Sequence, residues 1–425
     1  MKAIVDCNSF YCSCEKVFQP SLHNRAVVVL SNNDGCIISR SDEAKELGVG
    51  MAGPYFLARP LIEKHNVAVF SSNYNLYGDM SWRVMDVLKQ TVGGENVEVY
   101  SVDEAFLHLE PYTTGHLQTL SEYLRDTVEQ WTSIRVSIGV GPTKTLAKMA
   151  NRMAKQDKQR SQCILLFDTD DKIREALKTT RVREVWGVGS RYADKLEQRG
   201  ICTAWDLQNL SEEWARKNLG GVVGVRLIKE LRGEPAIEMK DALETKKMIA
   251  TTRMFGSAVT DLKDLKEAVA TYAARAAEKL RRQNGAAAVV STFLVSQEKI
   301  DGPRFRHGPT TSAYTTLLQP TSLTNELIKP AVRMAEQLFV PGKKYKKAGV
   351  ILSGIVPDSS IQANLFEPTK SIGRFLMEQI DNINFSMRGD VVKFASSGTR
   401  RDWKMLQAFY SPRYTTRWDE LCKVR

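Results

Sequence analysis

Tyr100-Ser101-Val102-Asp103-Glu104-Ala105-Phe106 sets two adjacent carboxylates inside a β-pattern that begins at Val97-Glu98-Val99 and continues through Leu107. Successive residues of a strand point to opposite faces, so Asp103 and Glu104 reach one spot only if the chain bends between them. Two readings stand at this point: a hairpin turn with two solvated acids, which is common, or a pair of oxygen ligands for a cation. The N-terminus bears on the choice. Lys2-Ala3-Ile4-Val5-Asp6 is an apolar strand run that closes on an aspartate, and a carboxylate at the end of a buried strand must find a cation or hydrogen-bond donors. Three carboxylates side by side repel one another unless divalent cations neutralise them, and hard oxygen ligands suit magnesium.

Outward from these acids, residues 1 to about 165 alternate strand and helix patterns. Strand 3–7, helix 79–91, strands 97–100 and 105–109, helix 117–131 and strand 134–140 give a βαββαβ order, the split ferredoxin-like arrangement. In that order the first strand and the Asp103-Glu104 hairpin are neighbours in one antiparallel sheet. Residues 19–69 interrupt the pattern. Thr143 is an N-cap for a helix reaching Lys155. Leu146, Met149, Ala150 and Met153 form its packed stripe, and Lys144, Lys148, Arg152 and Lys155 fall on the other side, as a solvated face or as a basic face next to the acids. Residues 166–233 turn helical. Within them Val185-Trp186-Gly187-Val188-Gly189 stands before a helix at 191–199, where a helix-hairpin-helix turn would expose backbone N–H groups to a nucleic-acid phosphate. Glu234-Pro235 and the charged run 240–247 read as a linker. Beyond it, strand 249–255, helix 262–282, strands 288–296 and 312–318, helix 323–338 and strand 348–355 repeat the βαββαβ order without the acids. Arg275, Lys279, Arg281, Arg282, Lys343, Lys344, Lys346 and Lys347 make this second sheet basic.

At 425 residues the chain is long for one core, and two to four domains are expected. Lys and Arg outnumber Asp and Glu by 60 to 49, for a net charge of +11, which favours a polyanionic partner, nucleic acid before anionic membrane. The segment before Asp6 is too short for a signal peptide, and the longest apolar stretch, around 286–295, falls short of a bilayer span, so a cytoplasmic location is expected. Seven cysteines, an odd number, without zinc spacing or a disulfide framework, read as small core residues in a reducing compartment.

Asp6-Cys7-Asn8-Ser9-Phe10-Tyr11, Ser101-Val102-Asp103-Glu104-Ala105 and the segment from Gly139-Val140-Gly141-Pro142-Thr143-Lys144 to Lys148 resemble the motifs of Y-family translesion DNA polymerases. With Ser31-Asn32-Asn33-Asp34-Gly35-Cys36 and Ser411-Pro412-Arg413-Tyr414-Thr415-Thr416-Arg417, the chain is similar over essentially its whole length to the UmuC type, the catalytic subunit of bacterial DNA polymerase V.

The resemblance implies an α+β, right-hand-like polymerase. Its ferredoxin-like palm would cover 1–18 and 70–165, and small fingers 19–69. A helical thumb with the helix-hairpin-helix would follow at 166–233, then a linker at 234–247, a βαββαβ little finger at 248–355 and a C-terminal tail at 356–425.

For the site, the resemblance implies error-prone, template-directed synthesis across damaged DNA in the SOS response by two-metal-ion nucleotidyl transfer. Asp6, Asp103 and Glu104 are the catalytic carboxylates, and these three with the backbone carbonyl of Cys7 hold two Mg2+ ions. Tyr11 is the sugar gate, while Phe10 reads as core. Lys45, Lys155 and Arg40 face the triphosphate, with Asp42 standing where many relatives carry an aromatic hydroxyl. Small residues at Gly35 and Cys36 would leave room above the nascent pair. Gly187, Gly189, Lys343, Lys344, Lys346 and Lys347 contact DNA.

In the tail, Gln362-Ala363-Asn364-Leu365-Phe366 resembles the sliding-clamp-binding peptide of bacterial polymerases, with Gln362, Leu365 and Phe366 as its anchors. Primed damaged DNA, deoxynucleoside triphosphates, the sliding clamp, a processed UmuD-type dimer and a RecA-type recombinase filament are the implied partners, in a nucleoid-associated cytoplasmic setting. The competing readings are a catalytically inactive, clamp-tethered DNA-binding accessory protein and a nucleotidyl cyclase on a similar palm.

Overall fold

A computed structural model describes residues 1–109, 114–239, 245–298, 308–361, 371–387 and 389–422. The chain divides into two compact units, the first made of residues 1–31, 36–243 and 409–425, the second of 32–35 and 244–408.

The first unit opens with β1 (Lys2–Cys7) and α1 (Phe10–Val17). A small subdomain follows, built from β2 (Val27–Leu30), β3 (Ile37–Arg40), α2 (Asp42–Glu46), α3 (Tyr55–Lys64) and β4 (Ala68–Ser71). Its three-stranded sheet runs β3-β2-β4 around the buried residues Val28, Leu30, Ile37 and Ile62. Then come α4 (Tyr74–Val92), β5 (Val97–Val99), β6 (Glu104–His108), α5 (Thr114–Thr132), β7 (Val136–Gly141), α6 (Lys144–Gln156), α7 (Lys158–Ser161) and β8 (Ile164–Leu166). The main sheet has the order β5-β6-β1-β7-β8, with β1 antiparallel to both neighbours and β8 parallel to β7. The helix expected at 79–91 begins five residues earlier, because Asn73 caps it by accepting from the Leu76 N–H at 3.3 Å. Five helices complete the unit: α8 (Asp170–Thr179), α9 (Ser190–Glu197), α10 (Ala204–Gln208), α11 (Glu212–Asn218) and α12 (Val222–Leu231).

Alternation along the strands sorts the main sheet into two faces. Ala3, Val5, Cys7, Ala105 and Leu107 join the core with Leu76, Tyr77 and Val84 of α4 and Leu117 and Leu124 of α5. Ile4 and Phe106 point the other way and pack on Ala147 of α6. A Cβ at Gly139 would lie 2.1 Å from the Asn151 nitrogen and 2.3 Å from the Ala147 oxygen, so only glycine lets α6 approach β7 this closely. The stripe Leu146, Met149, Ala150 and Met153 packs on the helices from α8 onward. Of the basic face, Lys144, Lys148 and Lys155 turn towards the sheet, with the Lys144 side chain 2% exposed, whereas Arg152 stays exposed and pairs with Glu184.

The second unit contains β9 (Ile249–Val259), α13 (Leu262–Arg281), β10 (Gly285–Ser296), β11 (Thr310–Thr321), α14 (Thr324–Leu338) and β12 (Tyr345–Pro357). Its antiparallel sheet runs β11-β10-β12-β9, with Leu265, Val269, Ala276, Leu327 and Ala331 of the helices buried against it. Where the sequence pattern loosens beyond 356, the chain forms α15 (Ser371–Ser386). The peptide carrying Gln362, Leu365 and Phe366 lies outside the described residues.

Candidate active site

Asp6 and Glu104 are direct cross-strand partners on β1 and β6, and both share the face of Ile4 and Phe106. The bend between the two adjacent acids is real: the Tyr100 and Ser101 N–H groups both donate to the Glu104 carbonyl at 3.0 Å, which leaves Asp103 in the turn and Glu104 on the strand. The Asp103 carbonyl accepts from the Cys7 N–H at 2.8 Å, tying the turn to the end of β1, while its carboxylate accepts from the Ser101 hydroxyl.

Helix α6 lies over this face, and three of its lysines meet three acids of the sheet. Lys144 pairs with Glu98 of β5, Lys148 with Glu104 and Lys155 with Asp6. Lys144 also donates to the Glu238 carbonyl at 2.8 Å and stands 4.9 Å from the Phe106 ring centroid. Burial pushes the Asp6 carboxyl up to about 7 against the opposing pull of Lys155, and its hydrogen bond with Glu104 adds to the rise. Burial acts upward on Glu104 too, but that same bond and the Lys148 ammonium outweigh it and hold the group below its ordinary value.

A cleft of about 320 Å³ is lined by Asp6, Cys7, Ser9, Phe10, Tyr11, Ile38, Ser39, Arg40, Lys45, Met51, Asp103 and Lys155. It thus gathers seven of the residues singled out from the sequence, from β1, α1, the small subdomain, the Asp103 turn and α6. Glu104 stands beside Asp6, turned towards Lys148. Lys45 donates to the Ser9 hydroxyl at 3.1 Å and to Asp42 at 2.7 Å, and Lys158 holds the other Asp42 oxygen at 2.5 Å. Partial burial pushes Asp42 up, but the two lysines prevail and lower it to about 2. The Arg40 guanidinium donates to the Val49 carbonyl. Phe10 is buried core, as its position suggests, while the Tyr11 ring is stacked on Tyr77 at 4.6 Å and meets Tyr74 edge-on at 6.0 Å.

The donor set is hard oxygen, with Asp6 and Glu104 paired across the strands and the Asp103 turn tied to the end of β1, a chemistry suited to divalent cations. Among the described residues no three His, Cys, Asp or Glu side chains are gathered as a metal group. The reason is visible: two of the three carboxylates are turned to lysines and the third to Ser101.

Of the remaining expected contacts, Gly187 has φ +95° in the turn before α9, and Gly189 is the N-cap of that helix. In the second unit Lys343 pairs with Glu298 at 3.2 Å, and Lys347 lies 5.8 Å from the Phe293 ring centroid. Lys344 and Lys346 flank Tyr345 at the start of β12. Glu98, Lys148 and Lys158 were not assigned roles from sequence. The i, i+4 spacing of Lys144 and Lys148 and the alternation of Glu98 with the apolar residues of β5 are the signals that could have found the first two.

The impB/mucB/samB family model matches residues 5–152, its C-terminal domain matches 246–365, and a domain of unknown function matches 374–424. The protein UmuC of Salmonella typhimurium is 40% identical over 433 residues, covering 100% of both chains. A DNA polymerase IV of Bacillus subtilis is 27% identical over 83% of this chain and 80% of its own. Among solved structures, a Y-family DNA polymerase chimera of Dbh and Dpo4 superposes with a TM-score of 0.68 at 20% identity, over 84% of this chain and 99% of the other. An insertion ternary complex of Dbh DNA polymerase gives 0.56. Among the described residues no helix is long and apolar enough to cross a membrane. End-to-end identity to UmuC, together with the family models and the polymerase fold, shows that this chain belongs to the UmuC type of the Y-family translesion DNA polymerases.

Proposed function

We propose that the chain carries out error-prone, template-directed synthesis across damaged DNA in the SOS response, by two-metal-ion nucleotidyl transfer in the cleft between β1, the Asp103 turn and α6. The observation that carries this reading is the meeting of Asp6, Asp103, Tyr11, Arg40, Lys45 and Lys155 around one cleft. Asp6, Asp103, Glu104 and the Cys7 carbonyl would hold two Mg2+ ions. When bound, such ions supply charge neutralisation and lower the pKa of a primer 3′-hydroxyl.

The chain's own groups do the rest. Lys45, Lys155 and Arg40 neutralise the triphosphate at the cleft wall. The Lys45 ammonium is held in place by Asp42, which takes the position of the relatives' aromatic hydroxyl. Tyr11, which lines the cleft, acts as the sugar gate, its ring excluding a 2′-hydroxyl. Gly187, Gly189 and the lysines around Tyr345 hold the DNA backbone. The clamp, a UmuD-type dimer and a recombinase filament are the partners of the tail, and the nucleoid is the place of action.

Asp103→Asn tests the reading. It removes one cation ligand and some like-charge repulsion while leaving the backbone bond to Cys7 intact. Primer extension with magnesium is expected to fall at least about a thousandfold with primed-DNA binding and thermal stability retained, a loss of roughly 4 kcal/mol in transition-state stabilisation. Incorporation by the purified variant at the parent's rate would remove Asp103 from the chemistry.

A further inference from the structure

The first unit includes a stretch from near the end of the chain. The Phe409 N–H donates to the Ser71 hydroxyl at 3.0 Å, and the Phe409 carbonyl accepts from the Ser71 N–H at 2.9 Å. The Tyr410 hydroxyl donates to Asn73 Oδ1 at 2.8 Å. Asn73 Nδ2 donates to the Ser411 carbonyl and hydroxyl, both at 3.0 Å, and to the Pro412 carbonyl at 3.2 Å. Tyr414 stacks on Phe18 at 4.9 Å and its hydroxyl accepts from Gln19 at 3.1 Å. Ser411 is 3% exposed, so this is a buried seat rather than a surface contact.

Two lines run from the seat to Tyr11. Along the first, the Ser411 hydroxyl donates to Glu15 Oε1 at 2.9 Å, the Tyr77 hydroxyl donates to the same oxygen at 2.6 Å, and the Tyr77 ring is stacked on Tyr11 with the planes 19° apart. Along the second, Asn73 is the N-cap of α4, so the segment pins the helix start that carries Tyr74 and Tyr77, the two rings against Tyr11. Tyr77 is fully buried and Glu15 is buried, so the Tyr77 ring cannot shift without breaking this network.

We propose that the segment Phe409–Tyr414 positions the Tyr11 ring, with Ser411 as the positioning residue, so that discrimination against the 2′-hydroxyl of ribonucleotides depends on the far end of the chain. The proposal rests on the reading of Tyr11 as the sugar gate. It assigns a role to part of the domain of unknown function matched at 374–424. A single hydrogen bond typically changes an equilibrium by several-fold to about tenfold rather than by many orders of magnitude. Removing one therefore loosens the gate without abolishing it.

The test uses the full chain on an undamaged primed template and compares a ribonucleoside with a deoxyribonucleoside triphosphate of the same base. Ser411→Ala and Tyr77→Phe are each expected to raise the ribo-to-deoxy ratio of kcat/KM about three- to tenfold. Incorporation of the deoxynucleotide stays within about twofold of the parent. Tyr11→Ala raises the ratio further, and adding Ser411→Ala to it changes nothing more. A 19F resonance from 3-fluorotyrosine placed at position 11 should shift or broaden on Ser411→Ala, which a merely structural role at the distant seat would not cause. An unchanged ratio and an unchanged resonance, with Tyr11→Ala still raising the ratio, overturn the proposal. A moved resonance with Tyr11→Ala leaving the ratio unaltered sustains the positioning and discards the sugar gate instead.

Discussion

Glu15 shows how burial and hydrogen bonding compete at a single carboxyl. Burial pushes it up to about 7, against the two hydroxyl bonds from Tyr77 and Ser411 that favour the charged form, and its second oxygen is buried without a partner. The folded value lies above the ordinary 4.5. Between those two pH values the folded chain therefore keeps a proton that the unfolded chain has lost. Stability falls as pH rises through that window and levels off above it. Glu15→Gln keeps an acceptor for both hydroxyls and removes the charge. It is expected to flatten this part of the pH profile and to stabilise the protein at pH 8 by roughly 1–3 kcal/mol. Urea unfolding of parent and variant at pH 5 and pH 8 checks this; equal differences at both pH values would show that the group does not titrate there.

At the scale of the element, α6 links two bodies of structure. Its apolar stripe packs on the helices from α8 onward, and its opposite face makes three lysine-to-acid pairs with the sheet. The three pairs differ in what they do. Lys155 lines the candidate cleft and Lys148 pairs with Glu104 beside Asp6, whereas Lys144 and Glu98 are almost fully buried and are not part of its lining. Removing one partner of a buried pair leaves an uncompensated charge, so Lys144→Met should cost about 3–5 kcal/mol. Adding Glu98→Gln should recover most of that loss, since both charges are then gone. Denaturant unfolding of the two variants measures the difference, and a double variant no more stable than the single one would mean that Lys144 contributes through packing rather than charge.

For the whole molecule, the basic balance of +11 and the second, acid-free sheet suit a chain that holds DNA by its backbone. A polymerase with few DNA contacts gains from tethering, because a clamp on the same DNA raises its effective concentration without adding catalytic contacts. Leu365→Ala combined with Phe366→Ala is expected to leave distributive synthesis on a short primer almost unchanged and to abolish stimulation by the sliding clamp. Primer extension with and without loaded clamp reads both, and equal stimulation of variant and parent would remove the peptide from clamp binding.

The pairing of the first strand with the Asp103-Glu104 hairpin, the Thr143 cap and the bend between the two acids were legible in the sequence because each rests on local information, whereas the Asn73 cap was not. The sequence could not say where α6 would turn its lysines. The same periodicity describes a solvated face and a face laid on a sheet, and the choice was made by Gly139, whose missing side chain lets the helix come close enough for Lys144, Lys148 and Lys155 to reach their acids. Nor could it say that Ser411 would reach Glu15, because nothing in the spacing of two residues so far apart encodes contact. Only the folded chain brings the segment to the capped end of α4, where burial makes a hydroxyl the group that Glu15 needs.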